Sequence, residues 1–113
     1  MHEMAIAQGI LDIVLTTAAR HGAVKVGRIR VLAGEMTQVV PESLEFGFTA
    51  VAAGSIAQDA RLEVITVPLE GKCGRCGRQF RIQRFSFVCS YCGSANVEIV
   101  AGRELMVDLL EVE

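Results

Sequence analysis

A chain of 113 residues, 51% of them hydrophobic, is long enough for one compact core, or for one core and a small stapled module. A net charge of −2 argues against a dedicated nucleic-acid binder. Mean hydropathy is high at +0.41, yet the longest apolar runs fall well short of a membrane span.

Residues 4–20 place Ala7, Ile10, Leu11, Val14 and Ala18 on one face at helical spacing, and Arg20-His21-Gly22 supplies a stop. His21 reads as a favourable cap to the helix dipole. Residues 24–32 read as a strand: Val24 and Val26 alternate, Gly27 shifts the phase, and Ile29 and Val31 resume it, with Arg28 and Arg30 on the other face. Residues 33–40 form a connection. Pro41 and Glu42 open a second helix, as proline and an acid suit a first turn. Leu44, Phe48, Val51 and Ala52 are its expected buried face, and Gly54 ends it. Residues 61–67 alternate as a strand until Pro68. After a cysteine-bearing stretch, Val97–Val100 is extended, Ala101-Gly102 turns, and 104–112 alternates through Leu105, Val107 and Leu109.

This order implies an α+β fold, a small three-stranded sheet packed by two helices. Residues 104–112 are too apolar for a free tail. They are expected to bury the face of Leu105, Val107 and Leu109 by returning to the sheet of 24–32 and 61–67. The expected units are then 1–67 with 102–113, and an inserted module at 68–101. Pro68, Gly71 and Ala101-Gly102 mark a hinge.

All four cysteines lie in that insertion, as Cys73-Gly-Arg-Cys76-Gly and Cys89-Ser-Tyr-Cys92-Gly. A Cys-x-x-Cys turn aims both sulfurs at one point, and two such turns complete a tetrahedral S₄ site of the structural zinc type. Gly77 and Gly93 let each turn curl so that amides reach the thiolates. Phe80, Ile82, Phe85, Phe87 and Val88 read as a β-hairpin between the pairs, which makes the module a zinc ribbon. Disulfides would need an oxidising compartment, and the N-terminus has no secretory pattern, so a cytoplasmic setting is expected. Iron in the same four-sulfur site stays open. One metal uses all four sulfurs and leaves no position for a substrate, so the site is structural.

The second chemical signal is Met1-His2-Glu3. A bulky second residue keeps the initiator methionine, so the free amine belongs to Met1. That amine, the deprotonated His2 amide and the His2 imidazole can chelate one ion in a plane, an arrangement that suits Ni(II) or Cu(II). Glu3 can add an oxygen or hold a ligand in place. A histidine at position two is otherwise an ordinary solvated terminal residue.

Met-His-Glu at residue one, Pro-Glu-Ser-Leu-x-Phe-x-Phe at 41–48, Ala-x-Leu-Glu-Val at 60–64, and the ribbon followed by Gly102-Arg-Glu-Leu together resemble, in order, the HypA/HybF family. These are nickel metallochaperones of [NiFe]-hydrogenase maturation. The resemblance implies nickel as cargo at Met1, His2 and Glu3, and structural zinc at Cys73, Cys76, Cys89 and Cys92. It also implies a HypB-type GTPase partner and delivery to the hydrogenase large subunit. A monomer or weak homodimer is expected, with no nucleic acid and no membrane. The chain departs from many members in placing Ser90, not proline, after Cys89. It also has no histidine in the ribbon.

Met4 and Met36 read as packing or loop residues rather than soft ligands. Lys72, Arg75, Arg78, Arg81 and Arg84 face no acid within their span. They read as a solvated face or as a docking surface for an acidic partner. The alternative function is therefore a zinc-ribbon module that binds nucleic acid or docks on protein. The 5% aromatic content and the absence of tryptophan weigh against nucleic acid. No Ser/His/Asp set and no phosphate loop occurs, so no enzyme is expected.

Overall fold

The computed structural model describes residues 3–113. The elements run α1 (Glu3–Arg20), β1 (Val26–Gly34), a 3₁₀ turn (Glu35–Thr37), α2 (Pro41–Ala52), β2 (Arg61–Val67), β3 (Glu70–Cys73), β4 (Gln79–Arg81), β5 (Val97–Ala101) and β6 (Leu105–Val112). They form two three-stranded sheets, β2-β1-β6 and β4-β3-β5. The fold is α+β, with both helices serving the first sheet and a ribbon carrying the cysteines. No described helix is long and apolar enough to cross a membrane.

The stripe Ala7, Ile10, Leu11, Val14 and Ala18 is the buried face of α1, as its spacing requires. The helix ends in a Schellman arrangement: Gly22, at φ 64°, donates to Ala19, and Ala23 donates to Ala18. His21 adds a cap, its Nδ1–H donating to the Thr17 carbonyl at 2.9 Å. In α2, Pro41 opens the first turn and Leu44, Gly47, Phe48 and Ala52 are buried. Gly47 lets the helices meet closely, because a Cβ there would lie 2.9 Å from Met4 Sδ and 3.6 Å from Ala7 Cβ.

β1 is the centre of the first sheet. It pairs parallel to β2, Ile29 opposite Leu62 and Val31 opposite Val64, with α2 in the crossover. It pairs antiparallel to β6, Arg28 opposite Glu111 and Val31 opposite Val107. Val26, Ile29, Val31 and Leu62 are buried beneath the helices with Leu44 and Phe48. The opposite face carries a charge ladder, Arg28 between Glu63 and Glu111, and Arg30 on Asp108. Gly27 sits at a register shift between β1 and β6, the phase change its position implied.

Three expectations need correction. β1 begins at Val26 and runs on to Gly34; Val24 is 76% exposed and only its backbone is held, by the Glu113 carbonyl. The returning strand does pair with β1, but it does not bury Leu105, Val107 and Leu109 as one face. A register shift at Asp108 breaks the alternation, so that Val107 and Leu110 meet the core while Leu105 stays 42% exposed. The third is the hairpin expected between the cysteine pairs, which does not form. β4 pairs instead with β3, ahead of the first knuckle, and residues 82–96 contain no strand. Arg84 and Phe85 both adopt left-handed backbone, at φ 54° and 56°, and close a tight turn in which Ser86 donates to Gln83. That turn stops extended structure where the apolar pattern would have continued it.

The ribbon has its own small core of Leu69, Cys73, Phe80, Ile82 and Cys89, with Met36, Phe87, Val97 and Ile99 against it. Met36 belongs to the 3₁₀ turn after β1, so it joins the ribbon to the first sheet. Two chain crossings connect them, one at Pro68-Leu69 and one at Gly102. Both are held by residues 34–36. Leu69 donates to Glu35 Oε1 at 2.9 Å, Met36 donates to the Gly102 carbonyl at 2.8 Å, and Gly34 donates to the Glu104 carbonyl at 2.6 Å. These three hydrogen bonds clamp the crossing.

Candidate metal centre

Each Cys-x-x-Cys segment folds as the same knuckle. Cys73 Sγ accepts from the backbone N–H groups of Arg75 and Cys76 at 3.3 Å. Cys89 Sγ accepts likewise from Tyr91 and Cys92 at 3.4 Å. Gly77 and Gly93, at φ 77° and 76°, close the two turns by donating to the carbonyls of Cys73 and Cys89. Here glycine is required by the backbone, since other residues adopt this region at a cost.

The two knuckles face one another. All four sulfurs lie within 4.8 Å of each other, with Cys73 to Cys92 at 3.6 Å and Cys76 to Cys89 at 3.7 Å. A disulfide needs about 2.05 Å, and all four cysteines are free. Cys73 and Cys89 are buried while Cys76 and Cys92 reach the surface. The cluster therefore has a structural inner side and an accessible outer side.

The electrostatics favour thiolate at Cys73 and Cys89. The Cys76 N–H pulls the Cys73 thiol down to about 6, burial opposes this, and the Arg75 N–H adds to the lowering. At Cys89 burial acts against the N–H groups of Cys92 and Tyr91, and the net direction is also down. The Ser94 N–H lowers Cys92, but burial and hydrogen bonds with the neighbouring thiols carry it up to about 11. Cys73 and Cys89 are thus drawn toward thiolate while Cys92 holds its proton more tightly. Four converging sulfurs with preformed N–H donors suit a tetrahedral metal such as zinc.

Cys73, Cys76, Cys89 and Cys92, taken from sequence spacing as one site, are brought together. Of the N-terminal trio, Glu3 is half-buried and stands in the first turn of α1. Met1 and His2 lie outside the described residues. His21 lies one helix length from Glu3, about 27 Å at 1.5 Å per residue, and serves as a cap instead of a ligand. Met4 is half exposed beside α2, and Met36 packs on the ribbon core. Leu69, 1% exposed, is the residue the sequence reading missed. Next to Pro68 it looks like linker, and no periodicity marks it.

Comparison with known proteins places this geometry. The chain matches the HypA family, described as hydrogenase/urease nickel incorporation, metallochaperone, over residues 1–112. It is 42% identical to the hydrogenase maturation factor HypA of Geobacter sulfurreducens and 40% identical to that of Dechloromonas aromatica, with both chains covered in full. The solution structure of the Ni metallochaperone HypA from Helicobacter pylori superposes with a TM-score of 0.72 at 26% identity, over 99% of this chain and 97% of that one. The chain belongs to the HypA family of nickel-incorporation metallochaperones in hydrogenase maturation, and is not an enzyme.

Proposed function

We propose that the chain carries Ni(II) at its N-terminus and zinc in its ribbon, as two separate sites with different chemistry. Nickel, the cargo, is held by the Met1 amine, the amide and imidazole nitrogens of His2, and an oxygen of Glu3. Cys73, Cys76, Cys89 and Cys92 hold zinc permanently, and zinc supplies the folding energy that the small ribbon core lacks. The observation that carries this reading is the closure of the cysteine cluster. With four sulfurs converged on one point, no cysteine is left over for cargo. A nitrogen-rich N-terminus ahead of Glu3 is then the remaining place for an exchangeable ion.

Residues 1–67 with 102–113 act in this scheme as the nickel-bearing unit, and 68–101 as the zinc unit. A HypB-type GTPase is the expected partner and the [NiFe]-hydrogenase large subunit the recipient. The test is nickel titration of untagged protein with its native N-terminus. One Ni(II) per chain is expected, lost in His2→Ala and on N-terminal acetylation, since each removes a nitrogen ligand. Unchanged stoichiometry and affinity in His2→Ala would overturn the N-terminal site.

A further inference from the structure

Charge in this chain is segregated. Residues 71–97 hold five cations, Lys72, Arg75, Arg78, Arg81 and Arg84, and no acid, while the remaining residues hold six cations against thirteen acids. Every ion pair among the described residues belongs to the first sheet, at Arg28 and Arg30. Glu70 stands opposite Arg81 and Glu98 opposite Lys72 in the ribbon ladders, yet among the described residues neither closes to an ion pair. Arg78 instead lies over the Tyr91 ring, 4.8 Å from its centroid, and Tyr91 is itself 59% exposed.

Arg78, Arg81 and Arg84 stand just before, on and just after an open strand edge. β4 pairs with β3 on one side only. Cys73 donates to the Arg78 carbonyl and Ile82 donates to the Leu69 carbonyl, which fixes the pairing phase through Gly71 and Phe80. Gln79 and Arg81 alternate with those residues, so their main-chain groups face away from β3. A groove of about 490 Å³ lies between β4 and the second knuckle, lined by Phe80, Arg81, Gln83, Val88, Ser90 and Tyr91. Beyond it the left-handed pair Arg84-Phe85 projects a cation and a 44%-exposed ring from the turn.

We propose that this edge docks an extended acidic segment of a partner protein, added as a strand beside Gln79–Arg81. Its carboxylates would meet Arg78, Arg81 and Arg84, and its alternate side chains would enter the groove against Val88 and Tyr91. Strand addition gives affinity through the main chain and selects sequence through alternate side chains. Two observations favour a polypeptide over a nucleic acid. An open strand edge offers alternating donors and acceptors that only another backbone matches. The acid-rich remainder of the chain also repels a phosphate polymer. The inference goes beyond nickel carriage and does not depend on it.

The test uses the zinc-loaded full chain, isotope-labelled, with a capped peptide of alternating glutamate and valine as probe. A lysine–valine peptide and an oligouridine serve as comparisons. The expected result is that the acidic peptide shifts the Gln79 and Arg81 amides and protects them from hydrogen exchange. Arg81→Glu with Arg84→Glu should weaken it at least about tenfold, the usual scale for lost charge complementarity at an interface. The lysine–valine peptide should not bind. The proposal is overturned if the acidic peptide does not bind, if its shifts map away from β4, or if the double variant binds as well. Tighter binding of oligouridine than of the acidic peptide would also overturn it, and would assign the face to nucleic acid.

Discussion

Glu35 Oε1 accepts the backbone N–H of Leu69 at 2.9 Å, across a sequence separation of 34 residues. Glu35 stands at the end of the central strand, and Leu69 is the first buried residue of the ribbon. One side chain therefore ties the cysteine module to the sheet that carries α1. Gly102 N–H, on the second crossing, is held in turn by Glu104 Oε1 at 2.7 Å.

Glu35→Ala leaves the Leu69 amide without its acceptor in a buried setting. A hydrogen bond to a charged group contributes about 1.5–3 kcal/mol, so a loss near the low end is expected for this partly exposed carboxylate. Urea unfolding measures it. Residual dipolar couplings should also show the ribbon reorienting more widely against the first sheet in the variant. Identical alignment of the two parts in wild type and Glu35→Ala would contradict the clamp.

Gly34 and Gly102 touch at the same junction. A Cβ on Gly34 would run into the Gly102 carbonyl, and one on Gly102, at φ 108°, would lie 2.6 Å from Leu69 Cα. Backbone cannot step aside as a flexible side chain can, so Gly34→Ala should cost about 1–3 kcal/mol or more. Gly9 is the control. It lies within α1 with nothing within 4 Å of a Cβ, and Gly9→Ala should stabilise by about 0.5–1 kcal/mol. Thermal melts of the two variants should move in opposite directions.

Acid should weaken the β1–β6 pairing in a way that one carboxylate explains. Hydrogen bonding to Arg30 holds the Asp108 carboxyl below its usual range; burial pulls the other way, and the guanidinium charge adds to the lowering. A depressed carboxyl contributes stability above its unfolded value near 3.8 and loses it as pH falls through the lower folded value. Arg30, raised by the same bond, stays charged throughout. Asp108→Asn should therefore be less stable than wild type at neutral pH, and the gap should close on titration to about pH 2. A gap that is constant across that range would show that the ion pair contributes nothing.

How much of this was legible in the chain differs from element to element. The α1 stripe and the Ile29/Val31 face are local patterns of burial, and local patterns survive into the fold. Cysteine spacing is equally local, because each knuckle is built within four residues. The Asp108 register shift is not local: it depends on how β6 meets β1, and alternation alone placed Leu109 where Leu110 belongs. The partner of β4 was misread for the same reason. Phe80 and Ile82 are buried as their hydrophobicity implies, but the strand that carries Phe80 pairs with residues before Cys73, not after. The roles of Glu35 and Met36 arise only when the two chain crossings come together.

Removing metal from the ribbon should separate the two parts of the chain. The ribbon core has five buried residues, two of them cysteines, and structural zinc contributes roughly 10–16 kcal/mol in small peptides at neutral pH. Cys73→Ser should collapse the amide dispersion of residues 70–101 while the β2-β1-β6 sheet keeps its shifts. A ribbon that stays well dispersed without metal would contradict the structural role.

In the proposed scheme nickel and zinc occupy chemically separate sites. X-ray absorption at both edges of the doubly loaded, untagged protein tests it directly. The zinc edge should show four sulfurs at about 2.3 Å, and the nickel edge only nitrogen and oxygen neighbours. Sulfur scattering at the nickel edge, with loss of zinc from the protein, would place the cargo in the cysteine cluster and contradict separate sites.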